Sequence, residues 1–299
     1  MKKIPRSSLF LLAALLALAA PASPQELFWN QFRGFDVPFV PTPPEVVDEM
    51  LRLAGVRSGD VLYDLGCGDG RIVIAAAKRF GVKALGIDID PVRIAESNEN
   101  AAAAGLTGKV RFVQQDLFEA DFRDATVVTM YLLTSVNLRL RPKLLAELRP
   151  GTRLVSHSFD MEGWRPDRTT VVATAFGDER SVHFWTVPAN VSGRWQWELA
   201  DGRGTKRFEL VADQEFQAVA ATATEGGFAA AVEDIVLSGD LLRFRLVAED
   251  GGKMASFLYE GKVLGNTIAG TIRRAGDPKT PPAPWRALRD PKTASVIAK

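Results

Sequence analysis

Residues 42–188 alternate short apolar runs with longer amphipathic segments, a pattern typical of strands that alternate with helices. The predicted strands are Val61–Leu65, Val82–Ile87, Val110–Gln115, Ala125–Tyr131 and Thr152–His157, and the predicted helices are Gly70–Phe80, Asp90–Gly105 and Leu138–Leu148. Two further strands, Thr169–Phe176 and Ser181–Val187, predict an antiparallel hairpin at the end of the sheet. We therefore expect an α/β domain with a mostly parallel, Rossmann-like sheet.

Residues 189–290 follow a different pattern, in which short alternating runs are separated by glycine-containing turns. Roughly eight strands at such spacing predict a small all-β antiparallel domain, either a barrel or a sandwich. Six apolar residues fall on the inward phase and are expected to fill its core: Trp195, Trp197, Phe208, Leu210, Phe244 and Leu246. Trp285 is expected to plug one end, and residues 291–299 are expected to form a tail.

The N-terminal residues have the layout of a secretory signal peptide. Lys2, Lys3 and Arg6 precede an apolar run over Leu9–Ala20, which is short for a span of the bilayer. Residues 1–22 are therefore predicted to be a cleaved signal peptide or an uncleaved membrane anchor. Either alternative predicts a location in the cell envelope, as a periplasmic or secreted protein or as one anchored to the membrane.

Residues 23–41 form a segment rich in aromatic residues and proline, and side chains of this kind favour burial. One hypothesis is that this arm folds over a ligand cleft; the alternative is that it packs on the back of the domain. The following residues, Thr42 to Glu45, match a capping box in which Thr42 caps a helix and Glu45 reaches back.

A glycine-rich loop follows the first predicted strand, with Asp64 before Gly66–Gly70 and Asp69 inside it. Glycines let the backbone turn sharply and approach a ligand closely. The two aspartates would repel the pyrophosphate that dinucleotide folds bind at this position, and Arg71 stands where that motif needs its third glycine. The loop therefore favours a nucleoside that carries positive charge.

Acidic residues also end the second and third predicted strands, at Asp88 and Asp116. Ligands of parallel sheets bind at the carboxyl ends of the strands, where the acid after the second strand binds ribose hydroxyls. Strand-end aspartates can instead cap helices, and this interpretation suits Asp90, which precedes Pro91. Asp64 and Asp88 together favour S-adenosylmethionine, because carboxylates can hold its ammonium and sulfonium groups.

Three motifs, DLGCGDG (64–70), GIDID (86–90) and QQD (114–116), resemble the cofactor motifs of the class I, seven-strand S-adenosylmethionine-dependent methyltransferases. The segments VPFVPTPPEVVDEML and DGRIVIAAAK are similar, more narrowly, to the lysine methyltransferases that modify the ATP synthase c subunit and the adenine nucleotide translocase, and to their bacterial relatives. The resemblance implies a seven-strand fold over about Val37 to Pro188. It implies cofactor contacts at Thr42, Asp64, Gly66, Cys67, Gly68, Gly70, Asp88, Ile89, Asp116 and Leu117.

The acceptor is expected beyond the fourth strand, at Thr129–Leu132. This segment lacks the Asn/Asp-Pro-Pro-Tyr motif usual in enzymes that methylate base amines or glutamine amides, which argues against adenine in DNA and against an amide nitrogen. The resemblance to the lysine methyltransferases implies a protein lysine amine as the acceptor. Tyr131 is a candidate for orienting the amine, or it is an ordinary core aromatic residue. His157 is a candidate for assisting deprotonation, because histidine titrates near neutral pH; the alternative is a structural role.

Composition agrees with a globular enzyme, since the 299 residues are 46% hydrophobic and 24% charged. A net charge of +1 gives no long-range attraction to nucleic acid, so we expect no nucleic-acid partner. The single cysteine, Cys67, excludes an internal disulfide, and two histidines are too few for a typical zinc site, so we expect no metal.

The partners expected are a protein substrate, including a membrane protein, or a small-molecule acceptor, with membrane association through the N-terminal segment. Two other functions stay open: a sensor or scaffold that binds S-adenosylmethionine without turnover, and an NAD-dependent oxidoreductase.

Overall fold

The computed structural model describes residues 36–200, 204–277 and 279–297. The predicted signal peptide or anchor, residues 1–22, and most of the aromatic arm lie outside the described residues. None of the described helices has the length and apolar character needed to cross a bilayer.

A seven-stranded sheet in the order β3-β2-β1-β4-β5-β7-β6 forms the first region. Its strands are β1 (Val61–Leu65), β2 (Lys83–Asp88), β3 (Val110–Gln114), β4 (Val127–Met130), β5 (Arg153–His157), β6 (Arg168–Ala173) and β7 (Glu179–Thr186). The first five strands pair in parallel, whereas β7 is antiparallel to both of its neighbours. The predicted α/β fold and its terminal hairpin are therefore confirmed, and the carboxyl ends of β1 to β5 meet at one edge.

Within the described residues, four helices accompany this sheet: α1 (Pro44–Leu53), α2 (Arg71–Phe80), α3 (Pro91–Ala103) and α4 (Thr134–Glu147). The apolar face of α1, with Val46 and Met50, is buried in the same core as Ile72 and Val73 of α2. Each such side chain contributes about 1.5–3 kcal/mol on burial.

The helix predicted to begin at Leu138 begins instead at Thr134. Asn137, a polar residue in the added turn, is fully buried. Its amide donates to the carbonyl oxygens of Phe159 and Asp160. The added helical turn therefore goes together with a contact to a loop distant in sequence, which the local sequence pattern does not reveal.

The second region is a closed barrel of eight antiparallel strands, which decides between the two predicted architectures. Its strands are β8 (Gly193–Ala200), β9 (Thr205–Glu215), β10 (Ala218–Glu225), β11 (Phe228–Ser238), β12 (Leu241–Asp250), β13 (Lys253–Leu264), β14 (Thr267–Arg274) and β15 (Ala283–Arg289). Consecutive strands pair as hairpins, and β15 closes the barrel against β8.

Aromatic rings fill the barrel interior. Trp197 packs edge-on against Tyr259 and Trp285, with ring centroids 5.6 and 5.4 Å apart. Phe244 stacks on Tyr259 at 4.8 Å. All six residues predicted to face inward are buried, and Trp285 lies within this cluster.

Residues 291–297, which lie in the predicted tail, pack against the barrel. Pro291–Thr293 forms a 3-10 turn, and the carbonyl oxygen of Ser295 accepts hydrogen bonds from Asn190 and Ser192. The carbonyl oxygen of Ile297 accepts a hydrogen bond from the backbone N–H of Phe216 at 3.0 Å. Residues 291–297 thus help to hold the turn between β9 and β10.

Candidate active site

The loop from Gly66 to Gly70 begins where β1 ends and opens α2. Its three glycines have φ values of +74°, +53° and +80°, a region that disfavours side chains. A Cβ at Gly66 would lie 2.7 Å from a methyl group of Leu132, and one at Gly70 would lie 2.7 Å from the Phe112 ring. Both the backbone conformation and the available space therefore require glycine at these positions.

Asp64 is buried beneath this loop with 2% of its surface exposed. The Thr129 hydroxyl donates to its carboxylate at 2.7 Å. Burial raises the pKa of Asp64 to about 7, the Thr129 hydrogen bond opposes that rise, and the nearby carboxylates of Asp88 and Asp69 add to it. A buried carboxylate in such surroundings is stabilised by a cationic ligand.

Asp88 lies beside the same loop at the end of β2. Its carboxylate accepts hydrogen bonds from the backbone N–H groups of Gly68 at 2.8 Å and Asp90 at 3.0 Å. Burial raises the pKa of Asp88, and these two N–H groups oppose the rise. The hydrogen bonds fix the orientation of the carboxylate and leave acceptor capacity for ligand hydroxyls.

Arg71 joins the glycine loop to the segment that leads into α1. Its guanidinium pairs with Asp69 at 2.5 Å and donates to the carbonyl oxygen of Thr42 at 2.8 Å. From the sequence, Arg71 was known only as the residue in place of a third glycine, and Asp69 only as a repulsive charge. The contact between Arg71 and Thr42 depends on the fold, because 29 positions separate the two residues.

Phe39, the part of the aromatic arm nearest to the domain, lies on the glycine loop. A Cβ at Gly68 would be 2.3 Å from its ring, so the ring contacts the backbone of the loop. The Arg93 guanidinium lies 4.6 Å from the centroid of the same ring. Phe39 therefore covers the loop, whereas most of the arm falls outside the described residues.

The other predicted cofactor positions follow the ends of β2 and β3 or lie in the loop. Ile89 is 45% exposed, and Leu117 is half-buried. The Asp116 carboxylate accepts from the backbone N–H of Phe118 at 2.8 Å, so it caps a turn. Burial raises the pKa of the Cys67 thiol, so the thiol is protonated at neutral pH. Cys67 is a small residue of the loop that packs against Gly86.

An aromatic wall stands at the ends of β4 and β5. Tyr131 stacks on His157 with ring centroids 3.7 Å apart, and on Phe159 at 5.9 Å. Nδ1 of His157 lies 3.2 Å from the Thr42 hydroxyl, and its Nε2 is buried with no hydrogen-bond partner among the described residues. Burial is the main cause that lowers the pKa of His157 to about 4, so the ring is neutral at pH 7.

The contact of Thr42 with His157 overturns the predicted capping box. Pro43 is the N-cap of α1, and no side chain caps that helix. Glu45 does not reach back either, because its carboxylate accepts from the backbone N–H of Ala175 at 3.3 Å. The hydroxyl that was predicted to cap a helix belongs instead to the aromatic wall. Asp90, by contrast, is the N-cap of α3, as predicted.

The residues at this edge fit S-adenosylmethionine, since they pair a close-approach glycine loop with the buried carboxylate of Asp64 and the half-buried carboxylate of Asp88. Across the described ranges, no group of three or more His, Cys, Asp or Glu residues is arranged to hold a metal ion.

The chain is similar in sequence to known methyltransferases. Residues 64–168 match the family model of the ANTKMT methyltransferase domain. A protein-lysine N-methyltransferase of Saccharolobus islandicus is 55% identical over 131 residues, which cover 44% of this chain and 81% of that protein. The chain belongs to the class I S-adenosylmethionine-dependent methyltransferases. The predicted family, enzyme class and cofactor are thereby confirmed.

Two further proteins are similar to this methyltransferase. The mouse lysine N-methyltransferase of the ATP synthase c subunit is 36% identical over 157 residues, and the chain spans 62% of that enzyme's length. A crystal structure of an RNA methyltransferase from Salinibacter ruber in complex with S-adenosyl-L-homocysteine is 54% identical. It covers 51% of this chain and 96% of its own, with a TM-score of 0.48.

The sequence placed Thr129 only in the expected acceptor segment and gave Asn137 and Phe159 no role, whereas in the structure Thr129 donates to Asp64 and the other two lie beside the aromatic wall. Thr129 carried one usable signal, because it is a polar residue inside the otherwise apolar strand β4. The other two gave none, since their roles depend on contacts between α4 and the loop after β5.

Proposed function

We propose that this methyltransferase transfers the methyl group of S-adenosylmethionine to the side-chain amine of a protein lysine. The 55% identity to a protein-lysine N-methyltransferase over most of that protein's length carries the proposal. The segment Thr129–Leu132 supports it, because the motif usual for base amines and amides is missing there.

The cofactor, when bound, supplies a methyl group on a sulfonium that leaves as a neutral thioether. In the proposed mechanism Asp64 holds the positive charge of the methionyl end, and Asp88 accepts hydrogen bonds from the ribose hydroxyls. The glycine loop brings the backbone close to the ligand. Positioning of this kind supplies much of the acceleration in a transfer that needs little acid or base chemistry.

The aromatic wall is the proposed acceptor side. Tyr131 and Phe159 present rings against which a lysine side chain can pack, and ring faces attract a nearby cation. The lysine must lose a proton before it reacts, and water is the proposed acceptor of that proton. With a pKa of about 4, His157 is a weak base at pH 7, so its role is to hold the Tyr131 ring in place.

The location and the kind of acceptor complete the proposal. We propose that the protein acts in the cell envelope, as the signal-like or anchor-like residues 1–22 predict, and that its acceptor is a membrane protein. The name of the mouse relative gives its acceptor as the ATP synthase c subunit, which supports a protein acceptor. An N-terminal sequence of the mature protein beginning at Met1 would eliminate cleavage and leave the anchor.

The function is tested by incubating the purified full chain with methyl-labelled S-adenosylmethionine and a membrane extract. We expect label on lysine residues of a protein, located by mass spectrometry, and no label with the Asp88→Asn variant. Tight cofactor binding without any labelled acceptor would favour the sensor or scaffold function. Label confined to RNA would contradict a protein acceptor.

A further inference from the structure

One side chain of the barrel, Phe216 in the two-residue turn between β9 and β10, projects into the methyltransferase domain. Its ring is 5% exposed and stacks on Trp164, with centroids 5.7 Å apart and planes 6° from parallel. The guanidinium of Arg141 lies 5.2 Å from the centroid of the same ring. The ring is therefore held between a loop residue and a helix residue of the other domain.

The backbone at Phe216 is strained, with a φ of +53°. Tight hairpin turns that need positive φ normally use Gly, Asn or Asp, and a bulky aromatic residue is unfavourable there. Four non-glycine residues in the described ranges have positive φ, and two others, Ser158 and Glu162, lie in the loop that Phe216 contacts. Strain that collects on both sides of one contact points to a functional constraint.

That loop, residues 158–167, connects the barrel contact to the aromatic wall. Arg141 donates to the carbonyl oxygen of Met161 at 2.7 Å, and Asn137, one turn earlier on α4, donates to the carbonyl oxygen of Phe159 at 3.2 Å. Phe159 in turn stacks on Tyr131. An unbroken series of contacts thus runs from Phe216 to the proposed acceptor side.

Gln217, the second residue of the turn, forms hydrogen bonds with the other end of the loop. Its side-chain amide donates to the carbonyl oxygen of Arg165 at 2.8 Å and to the carboxylate of Asp167 at 3.2 Å. Both residues of the turn therefore bind the loop on the acceptor side of the domain.

We infer that Phe216 is a positioning residue, through which the barrel sets the acceptor-side loop and hence the Phe159 and Tyr131 rings. The expected effect on acceptor kinetics rests on the proposed function. The expected effect on the conformation of the loop 158–167 does not depend on which acceptor the enzyme uses. The barrel then affects the rate of methyl transfer to the acceptor, whereas cofactor affinity depends on the sheet edge alone.

The test compares Phe216→Asn, which suits the positive φ but removes the ring, with Phe216→Tyr, which keeps the ring. We expect kcat/KM for the protein acceptor to fall about tenfold to a hundredfold in the Asn variant, with the affinity for S-adenosylmethionine unchanged and with Tyr restoring activity. Hydrogen exchange of amides 158–163 should be faster in the Asn variant. Phe228→Asn, at an exposed turn-side position in the same barrel, should change none of these values.

Unchanged acceptor kinetics and unchanged exchange in the Asn variant would overturn the inference. An equal loss of cofactor affinity would also overturn it, because that result indicates general destabilisation. If the Asn variant fails to fold, Gln217→Ala serves in its place and should give a smaller effect of the same kind. If the wild-type chain labels no protein, the proposed function fails, and the exchange measurement alone decides the positional role of Phe216.

Discussion

Asp64 at the carboxyl edge of the sheet and the interior of the barrel are both buried, but the side chains around them differ in chemistry. At the sheet edge, Asp64 is 2% exposed and shares its surroundings with two more carboxylates. Inside the barrel, Trp197, Phe244 and Tyr259 pack ring against ring. The barrel places its charges outside, in exposed cross-strand pairs such as Arg243 with Glu260.

Burial of a carboxylate without a cationic partner costs stability, whereas burial of aromatic rings adds it. A region that keeps a buried carboxylate despite this cost is suited to bind a ligand, whereas a region of packed aromatic rings is suited to stabilise the fold. The comparison therefore assigns cofactor binding to the sheet edge and a supporting role to the barrel.

Trp197→Ala should have the largest effect on stability. Removing a ring from the packed cluster leaves a cavity, and we expect a loss of about 3–5 kcal/mol in the free energy of unfolding, measured with urea. The affinity of the folded protein for S-adenosylmethionine should be unchanged. A matching loss of affinity would show that the barrel takes part in cofactor binding.

Asp64→Asn should lower the affinity for the cofactor without lowering the free energy of unfolding. Because the neutral amide cannot pair with a cation, we expect affinity for S-adenosylmethionine to fall about a hundredfold, which is about 2.7 kcal/mol, measured by calorimetry. The free energy of unfolding at pH 8 should be equal or higher, since a buried charge is removed. Glu198→Gln on the barrel exterior is the control and should alter neither quantity.

Much of this arrangement was predictable from local sequence. The strand ends at Asp64 and Asp88 and the glycine spacing located the cofactor side, and strict alternation identified Trp197 and Phe244 as inward residues. The contact of Thr42 with His157, separated by 115 positions, was not predictable. Local pattern records burial and turns, whereas pairing across such distances depends on how helices and loops pack.

The pH dependence of cofactor binding should show a moderate effect confined to the sheet edge. The pKa of Asp64 is raised to about 7 by burial and by Asp88 and Asp69, so part of the population is protonated at neutral pH. A bound cation favours the carboxylate, and binding therefore releases protons. We expect affinity to rise with pH from about 6 to about 7.5, by at most about tenfold per pH unit.

Calorimetry in buffers of different ionisation enthalpy measures this proton release. The upper limit is set by the cofactor's own amino group, because α-amino groups are half deprotonated at about pH 7.7–8. Asp64→Asn should abolish the dependence in this range. Equal pH dependence in the variant would assign the titration to another group.

Glu260→Gln should have the smallest effect. Its pair with Arg243 spans β12 and β13 at 2.6 Å but is more than half exposed on both sides. We expect a change below about 1 kcal/mol in the free energy of unfolding and none in activity, because solvent screens exposed pairs. A loss of several kcal/mol would mean that the barrel depends on its exterior charges.

A crystal structure of the full chain with S-adenosyl-L-homocysteine tests the assignment of the two regions most directly. We expect the ribose hydroxyls on the Asp88 carboxylate, the amino group on the Asp64 side of the glycine loop, and an unchanged barrel interior. Ligand density among the barrel rings, or a saturated complex in which neither aspartate touches the ligand, would contradict it.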